Sequence, residues 1–164
     1  MNIPVPTIMI KSIYDLDPTE LAGMGISFLL MDLDNTLAPY SISSAPLRLR
    51  NWIDSVRRAG ICPFILSNNK GDRPVEFAKD LSLEYVRHAK KPDTAKLLEV
   101  LESKNVSPEN AAIIGDQIYT DVLCGSRAGI TTIAVRPISL RNPLHLVRYW
   151  LEVPFRLAYR CKSK

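Results

Sequence analysis

"ISFLLMDLDNT", residues 26–36, decides how the rest of the chain is read. Ile26 to Met31 is a short, almost uniformly apolar run, the pattern of a strand covered on both faces of a parallel sheet. It ends in Asp32 and Asp34, two carboxylates either side of one leucine, with Asn35 and Thr36 behind them. Close carboxylates repel, and loss of solvent raises the cost. The pair therefore needs a cation, a proton or a chemical task.

Similar runs recur along the chain. "ICPFIL" (61–66), "AAII" (111–114) and "TTIAV" (131–135) read as further buried strands, and "EYVR" (84–87) as a weaker one. Helical patterns lie between them. Leu49, Trp52, Ile53 and Val56 form an i, i+3, i+4, i+7 stripe that predicts a helix over about 46–59, closed by Gly60. Further helices are predicted over about 73–81, after Pro92 through Leu97, Leu98 and Leu101, and from Asp116 to about Arg127. Near the start, Asp17 caps a short helix with Pro18 in its first turn. Strand–helix alternation predicts an α/β fold, a doubly wound parallel sheet, with ligands beyond the carboxyl ends of the strands.

The bulk composition narrows the class. The 164 residues, 46% hydrophobic and 23% charged, suit one globular domain over 1–164. Three cysteines (Cys62, Cys124, Cys161) without CxxC spacing read as reduced thiols rather than a disulfide framework or zinc site. No secretory leader and no apolar run of about 18 residues is visible, so the expectation is a cytoplasmic protein without a transmembrane segment. The net charge of +4 is uneven: from Arg136 onward seven basic residues face Glu152 alone.

Polar residues just after each strand are the informative ones. Strand one ends in Asp32 and Asp34, and strand two in Ser67, Asn68 and Asn69. The weak strand is followed by Lys90, Lys91 and Pro92, and "GDQIYTD" supplies Asp116 and Asp121. In a parallel sheet all four clusters face one crevice. Asp32, Asp34 and Asp116 can share Mg²⁺, which takes one or two carboxylates, water and substrate phosphate. One carboxylate is then left to attack phosphorus, while Ser67 and Lys91 hold the transferring phosphoryl oxygens. Pro92 restricts the backbone of Lys91, which favours it over Lys90 for this role. An EF-hand fails, because the sixth position from Asp32 is Leu37 and the twelfth is Ser43. His88 and His145 have no partners at metal-ligand spacing and are read as non-catalytic.

"DLDNT", "SNN", "KKPD" and "GDQIYTD", in that order, resemble the four motifs of the haloacid dehalogenase (HAD) superfamily of phosphohydrolases. The likeness runs from about Ile26 to Val135. Within subfamily IIIA the chain is most similar to the YqeG-type phosphatases, relatives of the phosphatidylglycerophosphatases, through "SIYDLD" and "GDQIYTDVLCGSRAG". The resemblance implies that Asp32 is the nucleophile. Asp34 would be the acid and base, with its backbone carbonyl on the metal. Asp116 would ligate Mg²⁺ with Asp121 in support, Ser67 would bind the phosphoryl group and Lys91 would stabilise it. Asn68 is carried as a further substrate contact.

Too few residues separate the motifs for a large cap domain, so the site is expected to be open, as suits a phospholipid headgroup. Small esters remain open too, because a homo-oligomer can supply a lid. The expected activity is dephosphorylation of phosphatidylglycerophosphate; the alternatives are a soluble sugar-phosphate or nucleotide phosphatase, or a receiver-like phospho-acceptor or binding module. The basic amphipathic segment about 141–164 reads either as a helix lying on anionic lipid or as one packed on protein, with Pro154 kinking or breaking it. No nucleic-acid module is visible.

Overall fold

In the computed structural model, which describes residues 4–141 and 143–162, six strands form one parallel sheet. They are β1 (Ile8–Met9), β2 (Phe28–Met31), β3 (Cys62–Leu66), β4 (Glu84–Val86), β5 (Ala111–Gly115) and β6 (Thr131–Ala134). The order across the sheet is β1-β6-β5-β2-β3-β4. Phe28 stands opposite both Cys62 and Ala111, which puts β2 at the centre. From β2 the chain winds outward through β3 and β4; from β5 it winds the other way through β6. The winding reverses between β2 and β5, where a crevice opens beyond the strand ends.

The helices are α1 (Pro18–Gly23), α2 (Leu47–Arg58), α3 (Arg73–Leu81), α4 (Ala95–Ser103), α5 (Leu123–Ala128) and α6 (Pro143–Lys162). They cover both faces because alternate strand residues point to opposite sides. Leu29, Met31, Ile65 and Ile114 join Leu49, Ile53 and Val56 of α2 and Phe77 of α3 in one core. Phe28, Leu30, Phe64 and Ile113 join Leu97, Val100 and Leu101 of α4 and Cys124 of α5 in the other. Each fully buried aliphatic side chain stabilises this packing by about 1.5–3 kcal/mol. α2 ends where Gly60 takes φ +81°, a left-handed conformation that an L side chain disfavours.

The structure departs from the sequence reading in four places. β1 was not expected: two residues carry no periodicity, and the strand exists because Thr7 N–H donates to Thr132 O (2.9 Å) and Ile10 N–H to Ala134 O (3.0 Å). α4 begins at Ala95 rather than at Pro92, because the Asp93 carboxylate accepts the Ala95 N–H at 2.8 Å in a turn of its own. The helix expected from Asp116 starts as a wider turn, Ile118–Val122. There the Asp121 and Val122 N–H groups share the Gln117 carbonyl at 3.0 and 3.3 Å. Last, α6 runs through Pro154 without a break. Glu152 and Arg156, on either side of the proline, are both bonded to the body of the protein. Between β2 and β3, and between β3 and β4, the only helices are α2 and α3, so the fold has no large cap. The side chains of His145 and Cys161 lie outside the described residues.

Candidate active site

Sheet pairing continues one residue past β2, where Asp32 N–H donates to Ile114 O at 2.9 Å. The chain then turns sharply. Asn35 takes φ +64°, a conformation asparagine tolerates, and its N–H donates to Ala38 O at 2.9 Å. This turn tucks Thr36 underneath, so that its buried hydroxyl lies 3.3 Å from Asp32 Oδ2 and 3.1 Å from Asp116 Oδ1. The same oxygen accepts the Asp116 N–H at 3.0 Å, tying the end of β5 to the end of β2. Thr36 was not singled out from the sequence, although its place in the DLDNT motif was the available signal.

Lys91 is the hub. Its ammonium, on a side chain only 1% exposed, lies 2.8 Å from Asp32 Oδ1 and 2.6 Å from Asp121 Oδ1. Its third bond goes to Leu66 O at 2.6 Å. Lys90 is exposed, in agreement with the preference for its neighbour. Asn68 holds Lys91 from behind: its amide oxygen accepts the Lys91 N–H at 2.7 Å, and its amide nitrogen donates to Lys91 O at 2.9 Å. Both ends of that amide are thus engaged. Asn68 therefore braces the backbone that carries the lysine. Ser67, buried at the end of β3, accepts the Asn69 N–H at 3.1 Å and keeps its own hydroxyl hydrogen to donate.

The acidic residues converge differently from the expected trio. Carboxylate oxygens of Asp32, Asp116 and Asp121 lie within 4.8 Å of one another. The carboxylate of Asp34 does not join them. It accepts hydrogen bonds from Asn69 Nδ2 at 2.8 Å and from Arg73 Nε at 2.7 Å. Asn69 and Arg73 hold the Asp34 carboxylate to one side, so Asp121 supplies the third carboxylate of the cluster. Gly115 makes room for it: a Cβ there would stand 2.2 Å from the Asp121 carboxyl carbon.

Three residues outside the expected site complete the surroundings. Arg73 also donates to the Pro39 carbonyl at 2.7 Å and to that of Ile42, and its guanidinium lies over the Phe77 ring. Glu152 of α6 accepts the Ile118 N–H at 2.8 Å, and Arg156 donates to Asp116 O at 2.5 Å. The two pair with each other at 3.2 Å. Their i, i+4 spacing was visible, but nothing local said that this face of the tail turns inward.

The electrostatics follow from three carboxylates around one ammonium. Burial pushes the Asp32 carboxyl up to about 7, against the pull of Lys91 and with Asp121 and Asp34 adding repulsion. Burial also drives Asp116 well above its ordinary range, reinforced by Asp32 and Asp121. Burial alone would lower Lys91, yet Asp121 and Asp32 hold it above its usual value. With its three carboxyls ionised, the cluster carries more negative charge than Lys91 neutralises. An all-oxygen donor set with surplus negative charge fits a hard divalent cation.

Comparisons with known proteins agree with this geometry. A HAD-hydrolase-like family model matches residues 88–137, the stretch holding Lys91, Asp116 and Asp121. The Bacillus subtilis (strain 168) protein named "Probable phosphatase YqeG" is 30% identical over 160 residues, covering 98% of this chain and 92% of that one. Phosphatidylglycerophosphate phosphatase 1 of Arabidopsis thaliana chloroplasts and mitochondria is 29% identical over 170 residues, 98% of this chain but 49% of its own length. Among solved structures, the cobalt-bound deoxy-D-mannose-octulosonate 8-phosphate phosphatase of Haemophilus influenzae superposes with a TM-score of 0.55 at 20% identity, covering 68% of this chain and 69% of that one. A Moraxella catarrhalis enzyme, 3-deoxy-D-manno-octulosonate 8-phosphate phosphatase solved with magnesium and phosphate ions, gives 0.50 at 16% identity, covering 62% and 63%. Fold, motif order and near full-length identity lead to one conclusion: the chain belongs to the HAD-like hydrolases, in the family of the YqeG phosphatase.

Proposed function

We propose that the protein is a Mg²⁺-dependent phosphomonoesterase that works through an aspartyl phosphate on Asp32, with phosphatidylglycerophosphate as its substrate. The observation that carries the chemistry is the buried Lys91 ammonium, bonded to Asp32 and Asp121 beside Asp116. A bare acidic cluster would protonate on burial; this one has a fixed cation on one side and surplus charge on the other.

Asp32 attacks phosphorus through a carboxylate oxygen as the bond to the ester oxygen breaks. Asp34 gives the leaving oxygen its proton, then takes one from the water that hydrolyses the acyl phosphate, which restores Asp32 and releases phosphate. Lys91 and the Ser67 hydroxyl hold phosphoryl oxygens as charge spreads over them. Asp32 and Asp116, with Asp121 beside them, would hold Mg²⁺, which when bound offsets phosphoryl charge.

The substrate reading rests on the plant relative's name and on the open crevice. A cavity of about 580 Å³, lined by Asn35, Tyr40, Ser41, Ile138, Ser139 and Arg141, adjoins the turn that carries Asp34. Its polar walls and the Arg141 cation suit a leaving group with hydroxyls and a second phosphate.

The test is phosphate release from phosphatidylglycerophosphate in mixed micelles with Mg²⁺, beside a panel of soluble phosphomonoesters. Turnover on the lipid, lost on chelation and reduced at least about 10³-fold in Asp32→Asn, is the expected result. Turnover on soluble esters alone would keep the mechanism and remove the lipid assignment. Inactivity on every ester would remove both.

A further inference from the structure

α6 is amphipathic the wrong way round for a helix that packs on a domain. Its polar pair, Glu152 and Arg156, is buried against the loop that carries Asp116. Phe155 packs against Ile118, Val122 and Ala134 beside them, but a second set of apolar residues faces outward. Leu146, Val147, Trp150, Leu151, Pro154 and Leu157 are all exposed, Trp150 at 67%. At 3.6 residues per turn they occupy one continuous sector of about 140°. The helix turns its polar face inward because the turn after Asp116 leaves N–H groups that Glu152 accepts, so the apolar face has nothing to cover it among the described residues.

We infer that this outward face of α6 docks on an anionic lipid surface. Charge selects the occupant. The apolar sector is flanked by exposed Arg148, with Arg141 and Arg136 exposed just ahead of the helix. From Arg136 onward the sequence carries seven basic residues against one acid. A second copy of the chain, docked about a two-fold axis, would set this positive surface against itself. An anionic bilayer offers the opposite sign and takes up tryptophan and leucine at its boundary. No described helix is long and apolar enough to cross a membrane, so the contact lies along the surface. Arg148 also lines a small cavity with Asp116 and Gln117, so the docked face adjoins the acidic cluster.

The inference stands on the helix and not on the substrate reading, and its test keeps the two apart. The full-length protein is mixed with vesicles of phosphatidylcholine alone or with phosphatidylserine, so neither substrate nor product of the proposed reaction is present. Co-sedimentation with the anionic vesicles only, weakened by salt, is expected. Trp150 emission should shift to the blue; Trp52, the other tryptophan, is already buried and gives a constant background. Trp150→Glu with Leu151→Glu should weaken vesicle binding about tenfold or more while hydrolysis of a soluble aryl phosphate is unchanged, because neither side chain reaches the acidic cluster. No binding to anionic vesicles, or binding that the double variant leaves intact, overturns the proposal. So does a dimer in solution that the double variant converts to monomer without affecting vesicle binding, which would assign the face to a second copy.

Discussion

Arg73 shows how much one side chain can organise near the site. It lies at the start of α3, beyond the motif that ends β3, yet its guanidinium joins the Asp34 carboxylate to the Pro39 and Ile42 carbonyls. The ion-paired side chains are only 16% and 10% exposed, so solvent screens them little. The turn that carries the proposed acid and base is therefore fixed from the side. Arg73→Met should lower stability by about 1–3 kcal/mol in denaturant unfolding, since charged hydrogen bonds are lost. It should also lower kcat on any active ester by about 10–100-fold with a smaller change in KM, because Asp34 loses its orientation. Arg73→Lys restores the charge but not the fork, and should recover only part of kcat. An unchanged kcat in Arg73→Met would remove Arg73 from the positioning machinery.

Among the elements, β5 and α5 have the tightest tolerances. Gly125 lets α5 lie directly on the sheet: a Cβ there would meet Ile113 Cγ2 at 2.4 Å and Thr132 Cγ2 at 2.7 Å. Gly115 does the same for the turn that carries Asp121. Gly125→Ala should destabilise by about 1–3 kcal/mol through overpacking, with activity retained at low temperature. Gly115→Ala should remove activity even where the protein stays folded, because the displaced group is the Asp121 carboxylate that holds Lys91. Circular dichroism melts beside phosphate-release assays separate the two. Equal loss of activity in both variants would mean that Gly115 serves packing alone.

At the scale of the molecule, the doubly wound sheet gathers charges from distant segments into one buried place. Asp32, Lys91, Asp116 and Asp121 are all nine-tenths or more buried, and three of the four are carboxyls. Such a cluster weighs against folding until a cation joins it. Mg²⁺ should raise the melting temperature, since a ligand at a hundred times its Kd stabilises by about 2.7 kcal/mol. Asp116→Asn should behave in the opposite way to most site variants. With chelator present it should melt higher than the unaltered protein, by about 2–4 °C for each kcal/mol of repulsion relieved, while losing the Mg²⁺ response and turnover. A lower melting temperature under chelation would show that the Thr36 bond to Asp116 outweighs the repulsion.

The elements legible in the chain are those that repeat a local pattern. The apolar runs gave four of the five longer strands and EYVR the weaker fifth, the Leu49–Val56 stripe gave α2, and polar residues after each strand pointed to one crevice. These features are legible because strands covered on both faces leave short continuous apolar runs, and helix amphipathicity leaves a period of about 3.6 residues. Tertiary structure decided what has no period. Whether Asp34 or Asp121 faces Asp116 depends on how a turn and a glycine direct side chains from segments far apart in the chain. The same holds for Asn68, whose amide meets the Lys91 backbone only once β3 and the loop after β4 are side by side. The tail is the clearest case. Its sequence shows a polar and an apolar face, but which one turns inward depends on the Ile118 N–H that Glu152 accepts and the Asp116 carbonyl that Arg156 meets, an alignment that exists only in the folded protein.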